Sequence, residues 1–146
     1  MIPAAEYRQT AIDRLHAVPC SCVIVRGDSV TVCHGRGVSD LYRIYTTQPW
    51  LLSGAFVADR VIGKGAAALM IAGDVAGVYT DLISVQALEL FRSVGIEPEF
   101  ARSVPNIINR TGDGICPVET LCRDCVTASA CIPLIADFIE KINQKH

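Results

Sequence analysis

Residues 55–73 read AFVADRVIGKGAAALMIAG, and their conformation decides the fold of the chain. Charge is confined to Asp59, Arg60 and Lys64, and the remainder is apolar or small, as expected of a segment inside the protein. The stretch reads as one buried helix. Asp59 then falls in its first turn, where a carboxylate suits the positive end of the helix dipole, and Gly73 stops it. Asp59 and Lys64 would share that helix, about 140° apart around its axis. Gly63 and Gly65 would lie in its interior, each costing about 1 kcal/mol relative to alanine, so close packing or ligand approach should compensate. Gly63-Lys64-Gly65 is not a phosphate loop, because the Gly-x4-Gly spacing before it and a Ser or Thr after it are missing.

On the carboxyl side, VAGVYTDLI (75–83) reads as a strand, Ser84 as the cap of the helix VQALELFRSV (85–94), Gly95 as its end, and IEPEFARSV (96–104) as another strand. On the amino side, residues 4–16 place Ala5, Ile12 and Leu15 on one face at helical spacing. SCVIVR (21–26) and SVTVCH (29–34) flank Gly27-Asp28 and read as a hairpin. A two-residue turn there puts Cys22 opposite Cys33 and Val23 opposite Val32. Ser39 is expected to cap a short helix that Gln48-Pro49 ends near Thr47. VPNIINRTGDGICP (104–117) is loop-like, and a helix from about Pro133 to Asn143 closes the chain. These elements imply a three-layer α/β/α architecture, with a mixed sheet of four to five strands between helices. Residues 1–146 form one domain, in which 105–146 is a cysteine-containing C-terminal extension.

Bulk properties agree with a covered sheet. The 146 residues are 51% hydrophobic with a mean hydropathy of +0.36, yet charges interrupt every apolar stretch well before the roughly 18 residues of a membrane span. The amino terminus lacks a basic region followed by an apolar one, so no secretory signal is expected and the compartment is read as cytoplasmic. Grouped cysteines in that setting suggest metal or chemistry more than disulfides. The net charge is −2 and the 13 Lys and Arg residues are scattered, which gives no footprint for nucleic acid. Neither a nucleic acid nor a membrane is an expected partner; the sequence leaves room for a homo-oligomer.

The blocks VADRVIGK (57–64), VYTDLIS (78–84), VPNIINR (104–110) and CPVE (116–119) occur in an order that resembles the bacterial family known as domain of unknown function 1893. The element order is similar to the cytidine deaminase-like fold. Deaminases of that fold hold zinc through His or Cys at the starts of two helices, with a Glu as proton shuttle. The resemblance puts the three ligand positions at Val57, Val85 and Leu88, none of which has a donor atom for zinc. It leaves Asp59 as the only residue keeping the chemistry of its counterpart. The resemblance thus implies the fold without the deaminase metal and without the deaminase reaction.

The candidates for remaining chemistry are Asp59 as general acid or base, Lys64 as an ammonium for an anionic or carbonyl group, and Cys116, at an expected helix start, as a nucleophile. Asn109 and Arg110 offer an amide and a guanidinium fork for carboxylate or phosphate. Each also has a plain reading: a dipole-paired Asp, a solvated Lys, an Arg paired within its loop. Asp81 is expected to cap its turn, and His16, His34 and His146 to serve at the surface. The stretch CPVETLCRDCVTASAC (116–131) spaces four of the seven cysteines as C-x5-C-x2-C-x5-C, which matches neither a zinc ribbon nor a ferredoxin run. Four thiolates at Cys116, Cys122, Cys125 and Cys131 could still surround a zinc ion or an iron-sulfur cluster. Cys20, Cys22 and Cys33 read as core residues.

The first functional expectation is a domain that binds a small polar ligand at the deaminase-equivalent cleft without a cofactor, lined by Asp59, Lys64, Asn109, Arg110 and Cys116. If it is an enzyme, it is a non-deaminating one. The alternative is a non-enzymatic metal-binding or redox-sensing module, whose four C-terminal cysteines change an oligomeric state.

Overall fold

The computed structural model describes residues 2–35, 38–108, 112 and 114–144. A five-stranded mixed sheet runs in the order β2-β1-β3-β4-β5, with β1 Cys22–Arg26, β2 Ser29–Cys33, β3 Phe56–Ile62, β4 Gly77–Ser84 and β5 Glu99–Val104. Its helices are α1 Tyr7–Ala17, α2 Ser39–Thr47, α3 Lys64–Ala72, α4 Val85–Ser93, α5 Pro117–Leu121 and α6 Ala128–Gln144. β1 pairs antiparallel with β2 and β3, and β3, β4 and β5 are parallel. Among the described residues, no helix is long and apolar enough to cross a membrane.

The stretch 55–73 is not one helix. Its first half is β3 and only Lys64–Ala72 is helical, with Gly63 as the extended N-cap. A strand covered on both faces gives the same continuous apolar run as a buried helix, and periodicity cannot separate them. The β-branched Val57, Val61 and Ile62 before Gly63, against the Ala-Leu-Met run after it, carry the distinction. Asp59 therefore lies inside a strand, away from any helix dipole, and the helix-start positions belong to Gly63, Lys64 and Gly65. Val57 likewise sits in β3, so it cannot occupy a ligand position at a helix start.

The hairpin keeps the expected register: Cys22 faces Cys33 and Val23 faces Val32, and Gly27 takes φ of 59° at the first turn position. Ser84 caps α4 by accepting the Ala87 N–H at 3.1 Å, and Gly95 follows α4 at φ of 81°. Ser39 is not a cap; it is the first residue of α2, and Asp40 instead accepts the Gly35 N–H at 2.7 Å. The last helix starts five residues before Pro133, because Thr127 caps it through the Ala130 N–H at 3.2 Å.

α1 covers one face of the sheet, where Ala11 and Leu15 pack with Val23, Val25 and Ala58. The opposite core gathers α2, α3, α4 and α6 around Ile24, Val57, Leu69, Phe91 and Ile135. Val118, Cys122 and Cys131 join this second core, so α5 and α6 pack as part of the main body.

Candidate functional site: two helix starts around Glu119

β3 and β4 each run directly into a helix, so the starts of α3 and α4 lie side by side at the carboxyl ends of two parallel strands. Open α/β sheets bind ligands outside the carboxyl ends of their strands, and unpaired N–H groups with the helix dipoles make such a place attractive to an anion. Here the anion comes from the chain itself. Glu119, 1% exposed, accepts the Lys64 N–H at 3.0 Å and the Ser84 hydroxyl at 2.7 Å through Oε1, and the Ile107 N–H at 2.5 Å through Oε2. One carboxylate thereby joins the first turn of α3, the cap of α4 and the loop after β5. Gly63 leaves the room this needs, since a Cβ there would stand 3.2 Å from Ile107 and 3.5 Å from Glu119 Oε1.

Lys64 does not reach into this crevice. Its ammonium donates to the carbonyls of Arg123 at 3.0 Å and Cys125 at 2.5 Å, which ties α3 to the turn between α5 and α6. Three thiols gather at that turn. Cys131 hydrogen-bonds with Cys122 and with Cys125. The Cys122 thiol is held below its usual range, chiefly by the hydrogen bond from Cys131 and also by the Lys64 ammonium. Cys131 is pushed up, first by that same bond and then by burial. Cys116, half-buried at the N-cap of α5, is not among the partners of these three. Among the described residues, no three His, Cys, Asp or Glu side chains are placed to hold a metal ion.

Asp59 has a third environment. It is 8% exposed and pairs across the sheet with Cys22 on one side and Thr80 on the other. Burial raises its pKa to about 7, partly offset by the Val61 and Arg60 backbone N–H groups and by Cys22. The expected grouping of Asp59 with Lys64 is thus not found, because one faces the hairpin thiols and the other the C-terminal turn. Asn109 and Arg110 lie outside the described residues. Asp81 caps nothing; it accepts from Tyr79 Oη at 2.8 Å and pairs with His16 at 2.8 Å.

The sequence profile described as "TM1506: Domain of unknown function (DUF1893)" matches residues 10–139. The chain belongs to the DUF1893 family. Among solved structures, the DUF1893 domain is similar to the crystal structure of a DUF1893 family protein (TM1506) from Thermotoga maritima. The two share 18% identity over 94% of this chain and 92% of that one, with a TM-score of 0.82. No curated protein matches this DUF1893 chain.

Sequence reasoning does not single out Glu119 of the DUF1893 domain, although it stands in the quoted CPVE block. Its partners Lys64 and Ser84 are 55 and 35 residues away, and only the fold unites them. A usable signal is Pro117 at the first helical position with Glu119 two residues later, in the first turn of α5. Gly65 has the same spatial logic: a Cβ there would lie 2.3 Å from Val118 Cγ1, and valine has little rotamer freedom to yield. Gly65→Ala should therefore destabilise the DUF1893 domain by about 1–3 kcal/mol, read as a lower urea midpoint. An unchanged midpoint would mean that α5 is not docked against α3.

Proposed function

We propose that this domain binds a small anionic ligand at the starts of α3 and α4, and that Glu119 is the resident occupant of that position in the ligand-free chain. The observation that carries this reading is the convergence of a helix N–H, a capping hydroxyl and a loop N–H on one carboxylate. Donors so arranged recognise any carboxylate or phosphate oxygen, and charge-assisted bonds of this kind are about twice as strong as neutral ones. Beside them, Gln86 Nε2 donates to Asn106 at 2.8 Å, and Gln86 Oε1 is buried with no partner among the described residues. That acceptor suits a ligand carrying an N–H or O–H group next to its anion.

The domain is further proposed to be deaminase-like in fold without deaminase chemistry. Two consecutive parallel strand-helix units support the first part. For the second, Gly63-Lys64-Gly65 opens one helix while Val85 and Leu88 occupy the first turn of the other, and none is a zinc ligand. The test is titration of the nitrogen-15-labelled native chain with phosphate, acetate and citrate. Saturable shifts should concentrate on the amides of Lys64 and Ile107. Shifts spread over surface lysines without saturation would refute the site.

A second reading, thiol-based redox sensing through the C-terminal turn, is favoured by the hydrogen-bonded Cys122, Cys125 and Cys131 beside Lys64. Oxidation there would move the turn that Lys64 holds and, with it, the segment bearing Glu119.

A further inference from the structure

The hairpin and β3 place three reactive groups in one row. Cys33 faces Cys22, and Cys22 faces Asp59, so all three side chains project to the same face of the sheet. Arg60 N–H donates to the Ser21 carbonyl at 3.0 Å, which makes Cys22 and Asp59 the closer, non-hydrogen-bonded kind of antiparallel pair. Opposed residues of an antiparallel pair have Cα atoms about 4.5–5.5 Å apart, within the range a disulfide bridges. Both cysteines are free. We propose that Cys33, Cys22 and Asp59 form a peroxide-reactive dithiol site, in which Cys33 is the nucleophile, Cys22 the resolving thiol and Asp59 the proton acceptor.

The order of roles follows from the register, which sets Asp59 beside Cys22 and not beside Cys33: Cys22 is the thiol whose proton Asp59 can take, and Cys33 is left as the nucleophile. The Cys33 thiol is lowered, chiefly by its contact with Cys22, in keeping with that order. The thiolate is the attacking form. Asp59, at about 7, is poised to hold and release a proton near neutral pH. Cys33 is only 3% exposed, which excludes a bulky disulfide as the oxidant and restricts the reaction to a small one such as hydrogen peroxide. Cys33 Sγ attacks one peroxide oxygen, the O–O bond breaks, and the departing hydroxide takes up the proton that Cys33 released, leaving as water. The product is Cys33 sulfenic acid, which condenses with a neighbouring thiol. Cys22 passes its proton to the Asp59 carboxylate and attacks Cys33 Sγ. The S–S bond forms, the S–O bond breaks, and hydroxide leaves with the proton from Asp59 as a second water. Two thiols and one peroxide give one disulfide and two waters.

On the face of the row the other charged groups acting on it are Asp40 and Arg43 of α2, while Asp81 of β4 and Cys20 before β1 act on it from the opposite face, where they contact His16 and Leu15 of α1. The experiment treats the reduced native chain with equimolar hydrogen peroxide, alkylates at intervals and maps disulfides by mass spectrometry. The Cys22–Cys33 bridge should form, and its closure should accelerate at least tenfold as pH rises through about 7. Cys22→Ser should leave a Cys33 sulfenic acid that dimedone captures. In Asp59→Asn closure should slow at least tenfold and lose its inflection near pH 7, while the first, sulfenic step keeps its rate. Cys22 and Cys33 remaining reduced while other thiols react, or a bridge from Cys33 to Cys20, would overturn the site. Closure in Asp59→Asn at the native rate and with the native pH profile would remove Asp59 from it. The native pH profile alone decides the proton-acceptor role should the variant not fold.

Discussion

Glu119→Ala is expected to lower the stability of the domain by about 3–5 kcal/mol, among the largest effects of any single substitution here. Alanine leaves the Lys64 N–H, the Ile107 N–H and the Ser84 hydroxyl without the acceptor they share, inside a site that excludes water to the extent that Glu119 is 1% exposed. A buried donor without a partner costs about 1–3 kcal/mol, and the three contacts also hold together α3, α4 and the loop after β5. Glu119→Gln keeps the shape and one acceptor oxygen, so its loss should be smaller, about 1–3 kcal/mol. Urea unfolding measures both: midpoints should fall in the order native, Gln, Ala, at an unchanged slope. Equal midpoints for Ala and Gln would mean that the one acceptor oxygen glutamine retains contributes nothing.

Asp59→Asn should act in the opposite direction above neutral pH. Asp59 titrates at about 7 in the folded chain against 3.8 in a free carboxyl, so between those values the native state keeps a proton that the unfolded state has lost. Stability then falls as pH rises. The penalty is absent below about pH 4, grows through the window up to about 7, and is fully present above it, at roughly 4 kcal/mol for a difference of this size. Asparagine has no charge to bury, so the variant should be the more stable protein at pH 8 and should lose this part of the decline between pH 4 and 7. Melting temperature against pH for the two proteins checks this. Parallel curves would place Asp59 in contact with water or with a cation.

Much of the fold can be read from local chemistry. Gly27-Asp28 fixes the hairpin register, and Ser84 and Gly95 bound α4, because turns and caps are decided within a few residues. The stretch 55–73 fails that test: burial on both faces erases the period that separates strand from helix. That single misreading also hides the Asp59–Cys22 neighbourhood, since a residue placed on a helix has no cross-strand partner. The candidate site divides the same way. Cys22 opposite Cys33 is legible from the turn, whereas Glu119, Lys64 and Ser84 meet only after two crossovers bring their helix starts together. The partners of Lys64 are equally out of local reach, because the carbonyls it holds belong to a turn some sixty residues further along.

We propose that the starts of α3 and α4 form an anion site that Glu119 fills. Thermal melting of Glu119→Ala in increasing acetate, at constant ionic strength set with chloride, tests it most directly. Acetate should enter the space left by the side chain and raise the melting temperature along a saturating curve, since a ligand bound only to the folded state stabilises it by RT ln(1 + [L]/Kd). The native chain, already carrying its own carboxylate, should respond far less, and Ser84→Ala combined with Glu119→Ala should respond less than Glu119→Ala alone. An acetate response in Glu119→Ala no larger than that of the native chain would contradict the claim.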